Sequence, residues 1–308
     1  MNPLVSVLMP CYNSARTLPM ALASLLAQTY EDWECVLVDD GSTDHPERVV
    51  EAAADPRIRY IRLERNMGGG FARQVTLEEA RGELIAFLDA DDWMYPWRLA
   101  RQVEVMLAHP DLAVLSSGMA IVDAEGHLVG TRGSAPGETI YFARLRQLAP
   151  PPLAFAPSIL RRGAALKAGF DESFRVVQDA DFLLRILLKE RYGILPEILY
   201  VYTEYQTVTL SKILRQGSFV RRMFWKHRTS FPAASVLRIG ESFVKSGVHL
   251  LAFATGQKDR LIRRRSRTPT EVQQMEFESA RSAVLRAGEA VFGAEVLGMN
   301  QGQIMAAG

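Results

Sequence analysis

The segment LIAFLDADD, residues 84–92, runs an apolar stretch straight into three carboxylates, Asp89, Asp91 and Asp92. Clustered anions repel one another and are costly in a low dielectric, so a buried strand that ends this way requires a counter-charge. The chain repeats the arrangement, and that narrows the fold. Leu4–Met9 is an apolar run ending in Pro10-Cys11-Tyr12-Asn13, and Cys35–Val38 ends in Asp39-Asp40-Gly41-Ser42. Between these runs, Thr17–Gln28, Arg48–Ala54 and Phe71–Ala80 carry helical patterning, with Thr17 expected as an N-cap, and Ile58–Leu63 alternates as an edge strand does. Short apolar strands alternating with helices predict an α/β fold, a Rossmann-like, mostly parallel sheet flanked by helices. Ligands of such sheets bind beyond the carboxyl ends of the strands, where strand order reverses, and the three polar strand ends converge there.

Farther along, Trp97–Ala108 reads as a helix, Ala113–Val122 as a strand followed by a turn at Glu125-Gly126, and Ser158–Arg162 as a short strand. Phe182–Lys189 is then expected to be helical and Leu199–Tyr205 to be a last strand. Residues 1–211 thus form one expected domain, and residues 212–308 a helical C-terminal extension. Thr268-Pro269-Thr270-Glu271 has the form of a capping box and predicts a helix from about Pro269. The Arg263–Arg267 run before it reads as an exposed connection, and residues 301–308 as a frayed end.

A net charge of +1 and 48% hydrophobic residues imply no partner by themselves. They conceal an asymmetry: residues 212–268 hold fourteen Lys and Arg against Glu241 and Asp259, about +12. Arg221, Arg222, Lys226 and Arg228 interleave there with Phe219, Phe224 and Trp225. That pattern suits a helix on an anionic membrane, a solvated face, or a groove for an acidic glycan, and no nucleic-acid recognition motif accompanies it. The first ten residues read as a strand and not as a signal peptide, and no window has the roughly 18 apolar residues of a membrane span. Cys11 and Cys35 fall at opposite ends of neighbouring strands, too far apart to bridge. A cytoplasmic protein is therefore expected, with contact at the inner membrane face as an option.

The five histidines lack metal-ligand spacing, so a bound metal is expected on oxygen. Asp89 and Asp91, two apart at a strand end, suit Mg²⁺ or Mn²⁺ carrying a diphosphate. The same spacing allows Asp91 or Asp92 to cap a helix near Pro96. No G-x-G-x-x-G follows the first strand and no P-loop signature occurs, which disfavours a dinucleotide dehydrogenase and a P-loop kinase.

Three stretches in order, VSVLMPCYNSARTLPMALASLLAQTYEDWECVLVDDGSTD, ERNMGGGFARQVTLEEARGELIAFLDADD and GFDESFRVVQDADFLLRI, resemble the family 2 glycosyltransferases of the GT-A fold over about residues 3–205. The resemblance implies an inverting, metal-dependent transfer of a sugar from a nucleoside-diphosphate sugar, with a UDP-sugar as the favoured donor. The acceptor would be a hydroxyl of a glycan or lipid-linked acceptor, as in cell-surface polysaccharide or glycolipid synthesis. By position, Pro10, Tyr12 and Asn13 would line the nucleotide pocket, with Asp40 accepting from the base while Asp39 holds the loop. Gly68 and Arg73 would lie near diphosphate and ribose, Ala90 would sit within the D-x-D turn, and Asp91, with Asp89, would hold the metal. Asp179 would be the catalytic base. Tyr12 as a core aromatic and Gly68–Gly70 as a plain turn remain open alternatives. Asp181 pairs more naturally with Arg185 than with substrate. Trp93 and Trp97 suit either an acceptor platform or packing.

Two positions depart from the family pattern. Gln178 stands where a Glu is frequent, and residues 202–205, Tyr-Thr-Glu-Tyr, replace an Arg-x-His. The second departure keeps a catalytically silent nucleotide-binding scaffold among the alternatives. A nucleotidyltransferase is disfavoured by the lack of a glycine- and lysine-rich loop after the first strand.

Overall fold

The computed structural model describes residues 2–135, 137, 139–204, 209–255, 266–293 and 297. Tyr205, Arg263–Arg265 and residues 301–308, which figure in the sequence reading, lie outside the described residues.

The parallel half of the sheet is built by β1 (Val5–Cys11), β2 (Trp33–Asp39), β3 (Ile58–Arg62) and β4 (Leu84–Phe87), ordered β3-β2-β1-β4. β3 is the edge strand, as its alternation requires. The sheet continues through β9 (Ile159–Arg161), β6 (Leu112–Val122), β10 (Arg191–Thr203) and β5 (Trp93–Met94). β7 (Leu128–Arg132) pairs with β6, and β8 (Tyr141–Arg144) with β10. The β9 strand runs antiparallel between β4 and β6, so the far half is mixed.

Strands buried on both faces explain the unbroken apolar runs. Val5, Val7 and Met9 join one core with α1 (Leu18–Leu26) and α4 (Arg98–Ala108). Leu8 points the other way, into a second core with α3 (Gly69–Glu79), α5 (Arg162–Ala168) and α6 (Gln178–Leu187). The short α2 (Glu47–Ala53) joins β2 to β3. After β10 come α7 (Leu210–Lys226), α8 (Pro232–Ala254) and α9 (Glu271–Phe292). α9 docks against α1 and β5: Phe277, Ala280 and Val284 share a core with Ala23 of α1 and with Trp93.

Several expected boundaries move. α6 begins at Gln178, four residues early, because Asp179 and Asp181 favour the positive end of a helix and so belong to its first turn. β10 begins at Arg191, where pairing with β6 and β8 carries it through Pro196. The capping box is made by Thr270 and Gln273, two residues later than the motif suggested. Thr17 does not cap with its side chain, which instead donates to the Ser14 carbonyl.

Beneath the acidic loop lies a fully buried arginine. Arg98 donates to the carbonyls of Phe87 (2.9 Å), Ala156 (3.0 Å) and Ser158 (3.2 Å) and to Gln102 Oε1 (3.1 Å). It joins the end of β4 to the segment leading into β9, and burial pushes its pKa down to about 10. Arg98→Leu removes donors from several buried oxygens and is expected to cost about 2–4 kcal/mol, read as a lower urea midpoint with an unchanged slope.

Candidate active site

Strand order reverses between β1 and β4, which places the crevice at their carboxyl ends. Leu8 faces Phe87 across that pair and Cys11 faces Asp39, so the segments after β1, β2 and β4 leave the sheet side by side.

At the first of these ends Tyr12 is 49% exposed, which rules out a core role and leaves a ring face free for stacking. Pro10, the last residue of β1 but one, is partly exposed beside it. Asn13 adopts a left-handed conformation (φ 49°) and fastens two loops: its amide donates to Ser42 Oγ (2.9 Å) and its Oδ1 accepts from Thr43 N (2.9 Å).

Both acids at the end of β2 hold loops, Asp39 as expected. Asp39 accepts from Ser42 N (2.9 Å) and the Tyr60 hydroxyl (2.7 Å). Asp40 also holds a loop, with Met67 N at 2.6 Å on one oxygen and Gly68 N at 2.8 Å on the other. A contact from Asp40 to a base must therefore use a remaining lone pair on oxygens already fixed by two amides. Gly68, the N-cap of α3, has φ 97°, ψ 150°, a region essentially reserved for glycine. Gly41 has φ 71°, and a Cβ there would meet the Arg65 carbonyl carbon at 2.6 Å, so the two loops press together as only glycine permits.

The three carboxylates after β4 meet three fates. Asp89 is paired with Arg73 of α3, Nη2 to Oδ1 at 2.8 Å. Asp92 is buried and accepts from the Tyr200 hydroxyl (2.8 Å) and Thr203 N (2.9 Å). Burial, then the charges of Asp89 and Asp91, push its carboxyl well above the usual range. These contacts replace the helix-capping role: α4 is entered through Trp97 without a side-chain cap. Ala90 is buried with Leu88 and Met94, leaving its peptide groups as what it offers a ligand. Asp91 is exposed, and no other residue's hydrogen-bond donor reaches its carboxylate among the described residues. Desolvation in the crevice and the neighbouring Asp89 raise its pKa.

Arg73 also links the acids to α6. Asp179 raises the Arg73 pKa alongside Asp89, and Gln178, with its amide oriented to suit both neighbours, accepts from Arg73 Nη1 at 2.9 Å and donates to the Phe174 carbonyl at 3.2 Å. Gln178 thus puts a neutral acceptor on the guanidinium where the usual Glu would add a third anion. Entry into α6 is strained: Val177 is buried and left-handed (φ 67°, ψ 12°), a conformation that β-branched residues avoid. Asp181 points away from the crevice into an ion cluster, with Arg185 Nε at 2.8 Å and Lys226 Nζ at 3.0 Å. Lys226 reaches Asp171 as well, at 2.7 Å.

An oxygen-only donor set of Asp91 and the second oxygen of Asp89 fits Mg²⁺ or Mn²⁺. A different trio, Asp123, Glu125 and His127, already brings its ligand atoms within 4.8 Å of one another on the β6–β7 hairpin. Asp123 Oδ1 there accepts the amides of Glu125 (3.1 Å) and His127 (2.8 Å), the bonding of a tight turn.

A family model, "Glycosyl transferase family 2", matches residues 6–166, just over half of the chain. The chain belongs to glycosyl transferase family 2. An uncharacterized glycosyltransferase of Methanocaldococcus jannaschii is 29% identical over 240 residues, covering 75% of this chain and 82% of that one. The Escherichia coli enzyme WfgD, a UDP-Glc:alpha-D-GlcNAc-diphosphoundecaprenol beta-1,3-glucosyltransferase, is 39% identical over 104 residues, 34% of this chain and 41% of its own. Among solved structures, Staphylococcus aureus TarS 1–349 in complex with UDP-GlcNAc superposes with a TM-score of 0.60 at 19% identity, covering 93% of this chain and 83% of that one. A Pyrobaculum calidifontis mannosyltransferase in complex with GDP-Man and Mn²⁺ has a TM-score of 0.57 at 18% identity, covering 95% and 87%. The fold is the GT-A fold.

As a family 2 glycosyltransferase, the chain handles its missing Arg-x-His in a specific way. Thr203 donates through N to Asp92 and through Oγ1 to the Asp91 carbonyl (3.0 Å), while Glu204 is held by Arg132 of β7 at 3.1 and 2.8 Å. Sequence reading missed Tyr200, Thr203 and the Lys226 cluster, all of which come from distant segments. Trp93 is buried against Tyr95 and Phe277, so it packs and is no acceptor platform.

Burial raises the Asp171 carboxyl, but Lys226 and Ser173 outweigh that and hold it at about 2. Its folded pKa is depressed, so its stabilisation is present above the unfolded value of about 4 and disappears as pH falls toward 2. Lys226→Met is expected to lower stability by about 1–2 kcal/mol at pH 7, with the gap to wild type closing between about pH 4 and 2 in urea melts.

Proposed function

We propose that this glycosyltransferase moves a sugar from a nucleoside-diphosphate sugar, UDP-sugar being the favoured donor, to an acceptor hydroxyl with inversion. The observation that carries the reading is the placement of Arg73, which pairs with Asp89 of the D-x-D turn and lies in the field of Asp179. Donor site and base are then two ends of one short network.

In this reading Tyr12 stacks on the base, Pro10 and Asn13 line its pocket, and Asp40 accepts from it while tying down the 67–68 loop. Gly68 and Arg73 approach the diphosphate, beside the peptide groups at Ala90. Asp91, supported by Asp89, would hold Mg²⁺ or Mn²⁺, which supplies Lewis-acid stabilisation of the leaving diphosphate. Asp179 takes the proton from the acceptor hydroxyl as that oxygen attacks the anomeric carbon opposite the diphosphate, and the carbon–oxygen bond to the diphosphate breaks. Arg73 holds the D-x-D turn against α6, so that attack and departure stay aligned.

Residues 1–211 carry donor and base, and residues 212–308 supply acceptor, membrane or oligomer contacts. WfgD, whose name specifies a diphosphoundecaprenol-linked acceptor, supports a role in polysaccharide or glycolipid synthesis. No described helix is long and apolar enough to cross a membrane.

Asp179→Asn is expected to reduce turnover about 10²–10⁴-fold while leaving the donor Kd within about twofold. Steady-state kinetics with donor hydrolysis as the minimal assay, and calorimetry for the Kd, separate the two. Full turnover by the variant would remove Asp179 from the mechanism.

A further inference from the structure

α8 is inside out for a helix of a water-soluble domain. Stepping round it at about 100° per residue, Val236, Leu237, Gly240, Phe243, Val244, Gly247, Val248, Leu250 and Leu251 fill one arc of roughly 160° that contains no charged residue. All of them are exposed: Val244 by 68%, Leu251 by 66% and Leu237 by 57%. The opposite side turns Ser235, Ser242 and Ser246 toward α7, beside the partly buried Ile239 and Phe253. Ser235 and Ser242 are buried, and a Cβ on Gly217 of α7 would stand 2.9 Å from Ser246 Oγ, so α7 and α8 close on each other through Gly and Ser. Large apolar groups lie on the outside and small ones at the helix contact, the reverse of a helix that covers a core.

Charge selects what covers this face. The described part of the hairpin carries eight Lys and Arg against Glu241 alone, and Lys212, Arg215, Arg228 and Lys245 are exposed. Arg221 lies over the Phe243 ring at 4.3 Å, and Arg228 over Trp225 at 4.8 Å, which places cations directly beside the apolar surface. A second copy docked by a two-fold axis would bring an equally basic surface against the first. A bilayer rich in anionic lipid offers both an apolar interior and the opposite charge.

We propose that the α7–α8 hairpin is an in-plane membrane anchor: the apolar arc of α8 enters the acyl boundary of an anionic phospholipid bilayer, while the surrounding Lys and Arg hold the headgroups. Lys226, at the end of α7, then fixes the anchored hairpin to Asp171 and Asp181, the latter two residues beyond Asp179. The anchor deepens the functional reading by naming the surface that brings the enzyme to a lipid-linked acceptor.

The test is sedimentation of the full chain with vesicles of phosphatidylcholine alone and with about a third phosphatidylglycerol, at low and at high salt. Wild type is expected to pellet with the anionic vesicles at least about tenfold more strongly than with neutral ones, and high salt should reduce that binding. Val244→Glu/Leu251→Glu should weaken it about tenfold or more, whereas Val272→Glu, at an exposed apolar position on α9, should not. Arg215→Gln/Lys245→Gln leaves the apolar arc intact and should weaken binding several-fold, which covers the case of an unfolded Glu variant. Equal pelleting of wild type and both double variants, or none by wild type, overturns the proposal. So does a lipid-free dimer, seen by light scattering, that Val244→Glu/Leu251→Glu makes monomeric, because that result assigns the face to a second copy. Nucleotide titration of the same samples in lipid-free buffer keeps the readings apart: donor binding without vesicle binding ends the anchor alone, and the converse ends the transferase reading alone.

Discussion

The ion pair between Arg73 and Asp89 is the contact on which the site depends. Three carboxylates at one strand end would repel each other and draw water into the sheet if left alone. Arg73 neutralises the first, and Tyr200 with Thr203 satisfies the third inside the protein. Of the three, only Asp91 is left facing the crevice without a donor from another described residue. The division converts an electrostatic liability into a single outward negative site, which is the form a cation-binding position must take. Arg73 can do this because α3 is entered through Gly68, whose amide Asp40 holds, so the loop tied to the end of β2 also sets where the Arg73 helix begins.

A buried frame supports that division. Arg98 locks the end of β4 to the entry of β9 from below, and the Asp181–Arg185–Lys226 cluster locks α6 to α7 from the side. Each set includes contacts long in sequence and short in space, Arg98 to Ala156 and Ser158 in one and Lys226 to Asp181 in the other. They restrain the two elements that carry Asp89 and Asp179 without occupying the crevice. Strain appears where α6 begins, at Val177, directly before the Gln178 and Asp179 that face Arg73. A buried β-branched residue held left-handed there is consistent with a site whose geometry the surrounding packing imposes.

The parallel half of the fold was legible in the sequence because β1, β2 and β4 are buried on both faces and end in polar residues, while the half-exposed β3 alternates as an edge strand does. Asp91, Arg73 and Asp179 were singled out through family spacing, and the structure puts Arg73 against Asp89 and in the field of Asp179. What Asp92 touches was not legible, since Tyr200 and Thr203 come from more than one hundred residues away through the pairing of β10 with β5 and β6. Asp40 was read as a base acceptor, but its oxygens meet two backbone amides, and backbone amides leave no trace in side-chain patterns. The arc on α8 is visible as spacing at Leu237, Val244, Val248 and Leu251. Periodicity shows that a helix has an apolar side without showing whether protein covers it, so only the packing of Ser235 and Ser242 inward shows which side is open.

The most direct test of this division of charge is calorimetric titration of UDP, with GDP, dTDP and CDP for comparison, into wild type and Asp91→Asn, each with and without Mn²⁺. If Asp91 is the one carboxylate left for a cation, a single nucleotide binds wild type tightly only with Mn²⁺, and the variant loses the metal-dependent part while its thermal stability is unchanged. Equal metal-dependent binding by Asp91→Asn, or no nucleotide binding by wild type under either condition, would contradict the account and return the acids at the strand ends to a structural role.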